Sequence, residues 1–370
     1  MLLFTPGPTP VPESVRIAMA GETLHHRTPE FEAIFERTRA LLFELLGMDE
    51  VLMIASSGTG AMESAVINLA HKKLLSINSG KFGERFGKIA VAHGIANVEI
   101  KHEWNVAATV QEVLSALSEN PDVDALAIQI CESAGGLRHS VEEIALAVKS
   151  YNPSIMVIAD GITAVGVEKI DTANIDCLIS GSQKALMLPP GLAIMGLSKV
   201  AIEKIGSGKG YYFNLATEIK NQRKNTTAWT AATTLIIGLE NILEKIKAQG
   251  GLNALYDETA RRAKATRAAM IAIGLHIYPE RPADSMTTVD DVDAKTIRSL
   301  MKKEFGVNVA GGQDHIKELI FRINHMGLIS PYEAAWAANS VELALAKMGR
   351  RSYDGTANRV FNSVYFGLPE

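Results

Sequence analysis

Cysteine is scarce. Two residues, Cys131 and Cys177, in a chain of 370 cannot build a disulfide framework, nor an iron–sulfur or nickel–iron centre. Both sit in or beside apolar runs, which reads as buried thiols in a reducing compartment, the cytoplasm. The nine histidines show no zinc-ligand spacing, so no metal site is expected. Excess positive charge is also lacking. The formal net charge is −4 and no Lys/Arg-rich run occurs, which argues against nucleic acid and anionic membrane surfaces as partners. No apolar run reaches the ~20 residues of a membrane-spanning helix. The start, MLLFTPGPTPVPES, has no charged opening and is soon broken by prolines, so neither a signal peptide nor a span is expected there. Internal repeats and low-complexity segments are absent.

What is present is apolar and regular. A hydrophobic content of 47% over this length supports a sizeable core and more than one domain. From residue 30 onward, helical spacing alternates with short apolar runs. PEFEAIFERTRALLFELLG reads as a helix stopped by Gly47. EVLMIASSGTGAMESAVINLAHK opens on a short strand before a small-residue turn and a helix, and KLLSINSG, ANVEIKHEW, VDALAIQI, SIMVIAD, IDCLISGS and GLAIMGLS read as strands. Strands this apolar fit a sheet covered on both faces, and the alternation predicts a doubly wound, mainly parallel α/β domain. After residue 250 a long charged helix and short strands near SMTTVD, VNVAGG and LIFRIN predict a smaller α+β domain. The expected organisation is an extended arm over residues 1–14, a large domain over 15–250 and a small domain over 251–370.

Three features fall at predicted strand ends, where such sheets bind ligands. SSGTGAMES joins a strand to a helix through small residues. Ser57, Gly58 and Thr59 could hold an anion on backbone N–H groups at the helix start, or serve as an ordinary N-cap. Asp160 ends SIMVIAD. A carboxylate there needs a partner: a salt bridge, a helix cap or a protonated ring nitrogen. Lys184, in SGSQKALMLPPG, could be a solvated surface charge. Held among apolar groups, it would instead have a lowered pKa and could react with an aldehyde. A phosphate cradle, an aspartate and a lysine on one sheet are the parts that pyridoxal phosphate requires.

With TPGPTPVP, HHRTPEF, SSGTGAMES, KFGERFG, ADGITAVG, SGSQKALMLPPG and FRINHMG in place almost end to end, the chain resembles the fold-type I, class V aminotransferases. It is most similar to their alanine–glyoxylate and serine–pyruvate group. The resemblance implies pyridoxal 5'-phosphate as cofactor and ping-pong transamination between a small amino acid and a 2-oxo acid. It implies Lys184 as the residue that binds the cofactor aldehyde and moves the proton, and Asp160 as partner of the ring nitrogen. Phe82 matches the aromatic stacked on the ring. Ser57, Gly58, Thr59 and Gln183 match phosphate contacts. Thr230, in TTAWTAATT, matches a phosphate contact supplied by the other subunit of a homodimer. Arg322 matches the grip on the substrate carboxylate, and Gly7 of TPGP lies with it on the substrate side. Where the family has a second hydroxyl after CES the chain has Ala134, which leaves Ser133 as the nearest replacement. Thr227 and Ala231 replace a frequent tyrosine and proline.

Rival readings stay open at this level. A phosphoserine aminotransferase using 2-oxoglutarate needs extra cations, and His25, His26, Arg27, Arg138, His139, Arg223 or Lys224 could supply them. A cysteine desulfurase needs a reactive cysteine on a mobile loop, and usually a histidine where Gln183 stands. A hydrogenase subunit, a label that relatives of the family have carried, would need metal ligands that two cysteines cannot provide.

Overall fold

The computed structural model describes residues 1–369. Seven strands form the large sheet, in the order Glu50–Ile54, Ala193–Leu197, Cys177–Gly181, Met156–Asp160, Ala125–Gln129, Lys73–Asn78, Ala96–Lys101. Ala193–Leu197 is antiparallel to both its neighbours, and the other pairs are parallel. This is the doubly wound sheet expected for a fold-type I enzyme.

Side chains alternate across each strand, so one strand feeds two cores. Val51 and Met53 enter one core, with the helices Pro29–Leu46 and Thr233–Ala248. Leu52 and Ile54 enter the other, with Gly58–Leu69 and Lys81–Ala92. Each such fully buried side chain contributes ~1.5–3 kcal/mol. The helix Pro29–Leu46 starts on a Thr28 cap with proline at its first position and stops at Gly47, whose φ of 61° is left-handed. Ala96–Lys101 departs from the expected apolar run. It is the sheet edge, with Glu99 and Lys101 facing solvent, as an unpaired edge requires.

The second sheet has five strands, in the order Leu2–Phe4, Val307–Gly311, Ile320–Asn324, Met286–Asp290, His276–Ile277. The arm is therefore partly strand: Leu2 to Phe4 pair in parallel with Val307 to Val309. Its prolines keep residues 5–12 out of helix, but a helix begins at Glu13, inside the expected arm. Phe321 and Ile323 point into a core shared with the helices Gly251–Ala272, Pro331–Lys347 and Thr356–Phe366. The same alternation turns Arg322 to the opposite face, towards Ser133 in the turn after Cys131–Glu132. Six helices went unread in the sequence: Glu13–Met19, Lys199–Ile205, Leu215–Gln222, Thr233–Ala248, Ala294–Phe305 and Thr356–Phe366.

Candidate active site

The carboxyl ends of the parallel strands converge on one cavity of about 130 Å³. Its lining contains Ser57, Gly58, Thr59, Phe82, Ser133, Asp160, Gln183 and Lys184, together with Arg85, Cys131, Ile162 and Thr163. Eight of the eleven residues singled out in the sequence thus meet in one place. A larger hollow of about 340 Å³ lies beneath the helix Gly251–Ala272 and residues 327–330, lined mainly by aliphatic side chains and glycine. The smaller cavity is the one that Lys184 and Asp160 line.

Lys184 sits in a turn just after the strand Cys177–Gly181. Ser182 builds that turn: its Oγ donates to Pro189 O at 2.7 Å and accepts from Leu192 N at 3.2 Å. These two bonds close the lysine loop through Ser182, the first of them on the carbonyl of Pro189. The N-terminal arm crosses the same loop. Thr9 Oγ1 donates to Lys184 O at 2.7 Å, and Lys184 Nζ donates to Pro6 O at 2.5 Å. Gly7, at φ 117°, lies so close to the lysine side chain that a Cβ there would collide with it. Burial, with the Arg322 charge second, lowers the Lys184 amine to about 8. An appreciable neutral fraction is thus present near neutral pH, as a nucleophile needs.

Asp160 is buried at the end of its strand. Its Oδ1 accepts from Ile162 N at 2.9 Å, and no ion pair holds the carboxylate among the described residues. Burial pushes it up to about 6, against the weaker pull of Lys184 and Arg85. A cation placed beside it would bring it down again. Ser57 caps the helix Gly58–Leu69, its Oγ accepting from Gly60 N at 3.4 Å. Gly58 packs against Ile162 with no room for a Cβ, which brings the helix start to the cavity wall. Gln183 Oε1 is buried without a partner. Unpaired carboxylate, open helix start, lysine and orphaned amide together fit pyridoxal phosphate.

Arg322 is buried, and burial lowers it to about 10. Its Nε and Nη2 donate to Gly311 O at 2.9 and 2.6 Å, and Nη1 donates to Ser133 O. It influences Lys184 through space without lining the cavity itself. Thr230 is not brought in. It is exposed and lies beside Ala55, Tyr212 and Trp229, away from Lys184 of its own chain. Ala134 is buried, and Ser133 and Thr163 put hydroxyl-bearing side chains on the cavity wall beside Ser57 and Thr59.

Glu132 was not singled out in the sequence. Its Oε2 accepts from Phe82 N and Gly83 N, and its Oε1 from Ala134 N, each at 2.9 Å. It therefore ties the start of the helix Lys81–Ala92 to the Ser133 turn. Burial pushes it up to about 7. The signal was a charged residue directly after an apolar strand, in the same CES that drew attention to Ser133.

Three of the seven cations named for a phosphoserine site are paired or neutral. Arg138 is paired with Glu142 and Glu168, Arg223 with Glu50, and buried His139 is pulled down to about 3 and stays neutral. These residues are not extra phosphate cations for a phosphoserine site. Both cysteines are buried. Burial pushes the Cys131 thiol up to about 11 and raises Cys177 as well, opposite to what sulfur transfer needs.

Comparison with known proteins agrees with this geometry. The family described as Aminotransferase class-V matches residues 1–329. The chain is 50% identical to an uncharacterized aminotransferase of Helicobacter pylori, over all of both chains. It is 34% identical to a protein of Synechococcus named as the small subunit of a soluble hydrogenase, over 95% of this chain and 94% of that one. An aspartate aminotransferase of Thermus thermophilus superposes with a TM-score of 0.88 at 30% identity, covering 94% of this chain and 99% of that one. No group of three His, Cys, Asp or Glu able to hold a metal ion occurs among the described residues, and no helix there is long and apolar enough to cross a membrane.

Proposed function

The chain belongs to the class-V aminotransferases, and from that premise we propose that it uses pyridoxal phosphate to move an amino group from alanine or serine to glyoxylate or pyruvate. The observation that carries this is the meeting of Lys184, Asp160 and the Ser57–Thr59 helix start around one cavity. When bound, pyridoxal phosphate supplies the electron sink that no side chain offers. The protein's part is binding, orientation and proton movement. Lys184 Nζ would hold the aldehyde, then carry the proton to and from the substrate α-carbon. Asp160 would keep the ring nitrogen protonated, and Phe82 would stack on the ring. Ser57, Gly58, Thr59 and Gln183 would hold the phosphate. Arg322 would turn its fork from Gly311 and Ser133 to the substrate carboxylate, with Gly7 on the same side. Donor and acceptor would use the site in turn, giving ping-pong kinetics.

Thr230 would reach a phosphate only from a second copy. Its exposure, and the cluster of Tyr211, Tyr212 and Trp229 around it, support a homodimer with shared sites. The buried, unbridged cysteines support a cytoplasmic location.

Initial rates over a grid of donor and acceptor concentrations test the substrates. Parallel double-reciprocal lines with alanine or serine against glyoxylate or pyruvate are expected. Turnover with aspartate or phosphoserine alone would overturn the choice of donor. Arg322→Ala should raise KM for the amino and the 2-oxo acid alike, by roughly ten- to hundred-fold, the worth of a charge-assisted hydrogen bond. An effect on only one of them would contradict a shared carboxylate grip.

A further inference from the structure

Arg85 lies one turn beyond Phe82 on the helix Lys81–Ala92, on the same face, and both line the cavity. Its Nη1 donates to Thr59 Oγ1 at 2.6 Å, and its guanidinium carbon stands 4.7 Å from the centre of the Phe82 ring. It is half-buried and has no carboxylate partner among the described residues. The adjacent Glu84 is no help, because it pairs with Lys88 at 2.8 Å and Lys81 at 3.7 Å instead.

This is an awkward place for an unpaired cation. Thr59 is the second residue of the helix Gly58–Leu69, whose start carries the positive end of the helix dipole. A guanidinium there faces like charge and has lost part of its hydration. An anion between the two would relieve both. The Phe82 ring accounts for one side of the guanidinium but supplies no negative charge.

We propose that Arg85 is the cationic arm of the phosphate cradle. It holds the Thr59 hydroxyl towards the phosphate, and its charge meets the dianion that the neutral groups Ser57, Gly58 and Gln183 cannot neutralise. The proposal rests on the pyridoxal phosphate reading of the cavity and adds a residue to it.

The test compares two ligands that differ only in the phosphate. Cofactor-free wild type, Arg85→Gln and Arg85→Lys are titrated with pyridoxal phosphate and with pyridoxal, following absorbance, with thermal melting as the control for folding. Arg85→Gln should weaken pyridoxal phosphate by roughly ten- to hundred-fold, as loss of a charge-assisted contact does, and pyridoxal by less than about two-fold. Arg85→Lys, which keeps the charge, should recover part of the loss. Unchanged affinity for pyridoxal phosphate in Arg85→Gln would overturn the proposal. So would equal loss of both ligands, which would make Arg85 a prop for Phe82. A wild type that captures neither ligand would overturn the pyridoxal phosphate reading itself, and this proposal with it.

Discussion

Lys184→Ala should lower transamination by roughly 10⁴-fold or more, because one substitution removes both the covalent anchor and the proton carrier. The fold should survive. The side chain makes one hydrogen bond, to Pro6 O, and the turn that presents it is held by backbone and by Ser182. The amine sits where burial and Arg322 both oppose its charge. Its removal relieves that opposition, so the variant should melt no lower than wild type at pH 7. Steady-state rates and a thermal melt check both halves. Activity within ten-fold of wild type would remove Lys184 from the chemistry.

Asp160→Asn should cut kcat by roughly 10²- to 10³-fold, the range for losing one oriented electrostatic group. KM should change far less. Asparagine keeps the shape and can still accept from Ile162 N; it lacks the negative charge that holds a proton on a ring nitrogen. Stability should move the other way. Burial raises the Asp160 carboxyl from its usual 3.8 to about 6 in the folded, cofactor-free protein. The folded state therefore binds that proton more tightly than the unfolded chain does. Stability is lost as pH climbs from about 4 through 6. At pH 7 the cofactor-free Asn variant should melt above wild type, and the gap should close below pH 4. A variant that changes only KM, or melts lower at pH 7, would contradict this role.

Much of the site was legible because its residues lie in short linear motifs at strand ends. Asp160 ends a buried strand and Lys184 sits in the turn just after another, so the sheet fixes where both lie. Arg85 and Glu132 lie in the motifs KFGERFG and CES, whose linear form does not show what they touch. What matters about Arg85 is that the helix carrying it packs beside the start of another helix, and spacing along the chain does not show that. Glu132 acts on backbone N–H groups fifty residues earlier in the chain, at Phe82 and Gly83. Arg138 and Arg223 looked like free cations because their carboxylate partners are recognisable only once the chain is folded.

The helices were missed for local reasons. Thr233–Ala248 opens on two threonines without a side-chain cap, which masks the helical spacing of Ile236, Leu239, Ile242, Leu243 and Ile246. Thr356–Phe366 is short, starts after a left-handed Gly355 and shows only Ala357, Phe361 and Tyr365 as its buried stripe. The arm was read as extended from its prolines, and that holds through residue 12. Its pairing with Val307–Gly311 depends on a strand three hundred residues away.

The central claim is that Lys184 holds pyridoxal phosphate and releases it to an amino donor. Its most direct test is the absorbance spectrum of the purified protein, followed by borohydride reduction and mass mapping of the tagged peptide. The account predicts a near-visible band that is lost when alanine or serine is added, and a tag on Lys184 when reduction precedes the donor. No band after addition of pyridoxal phosphate, or a tag on any other lysine, would contradict it.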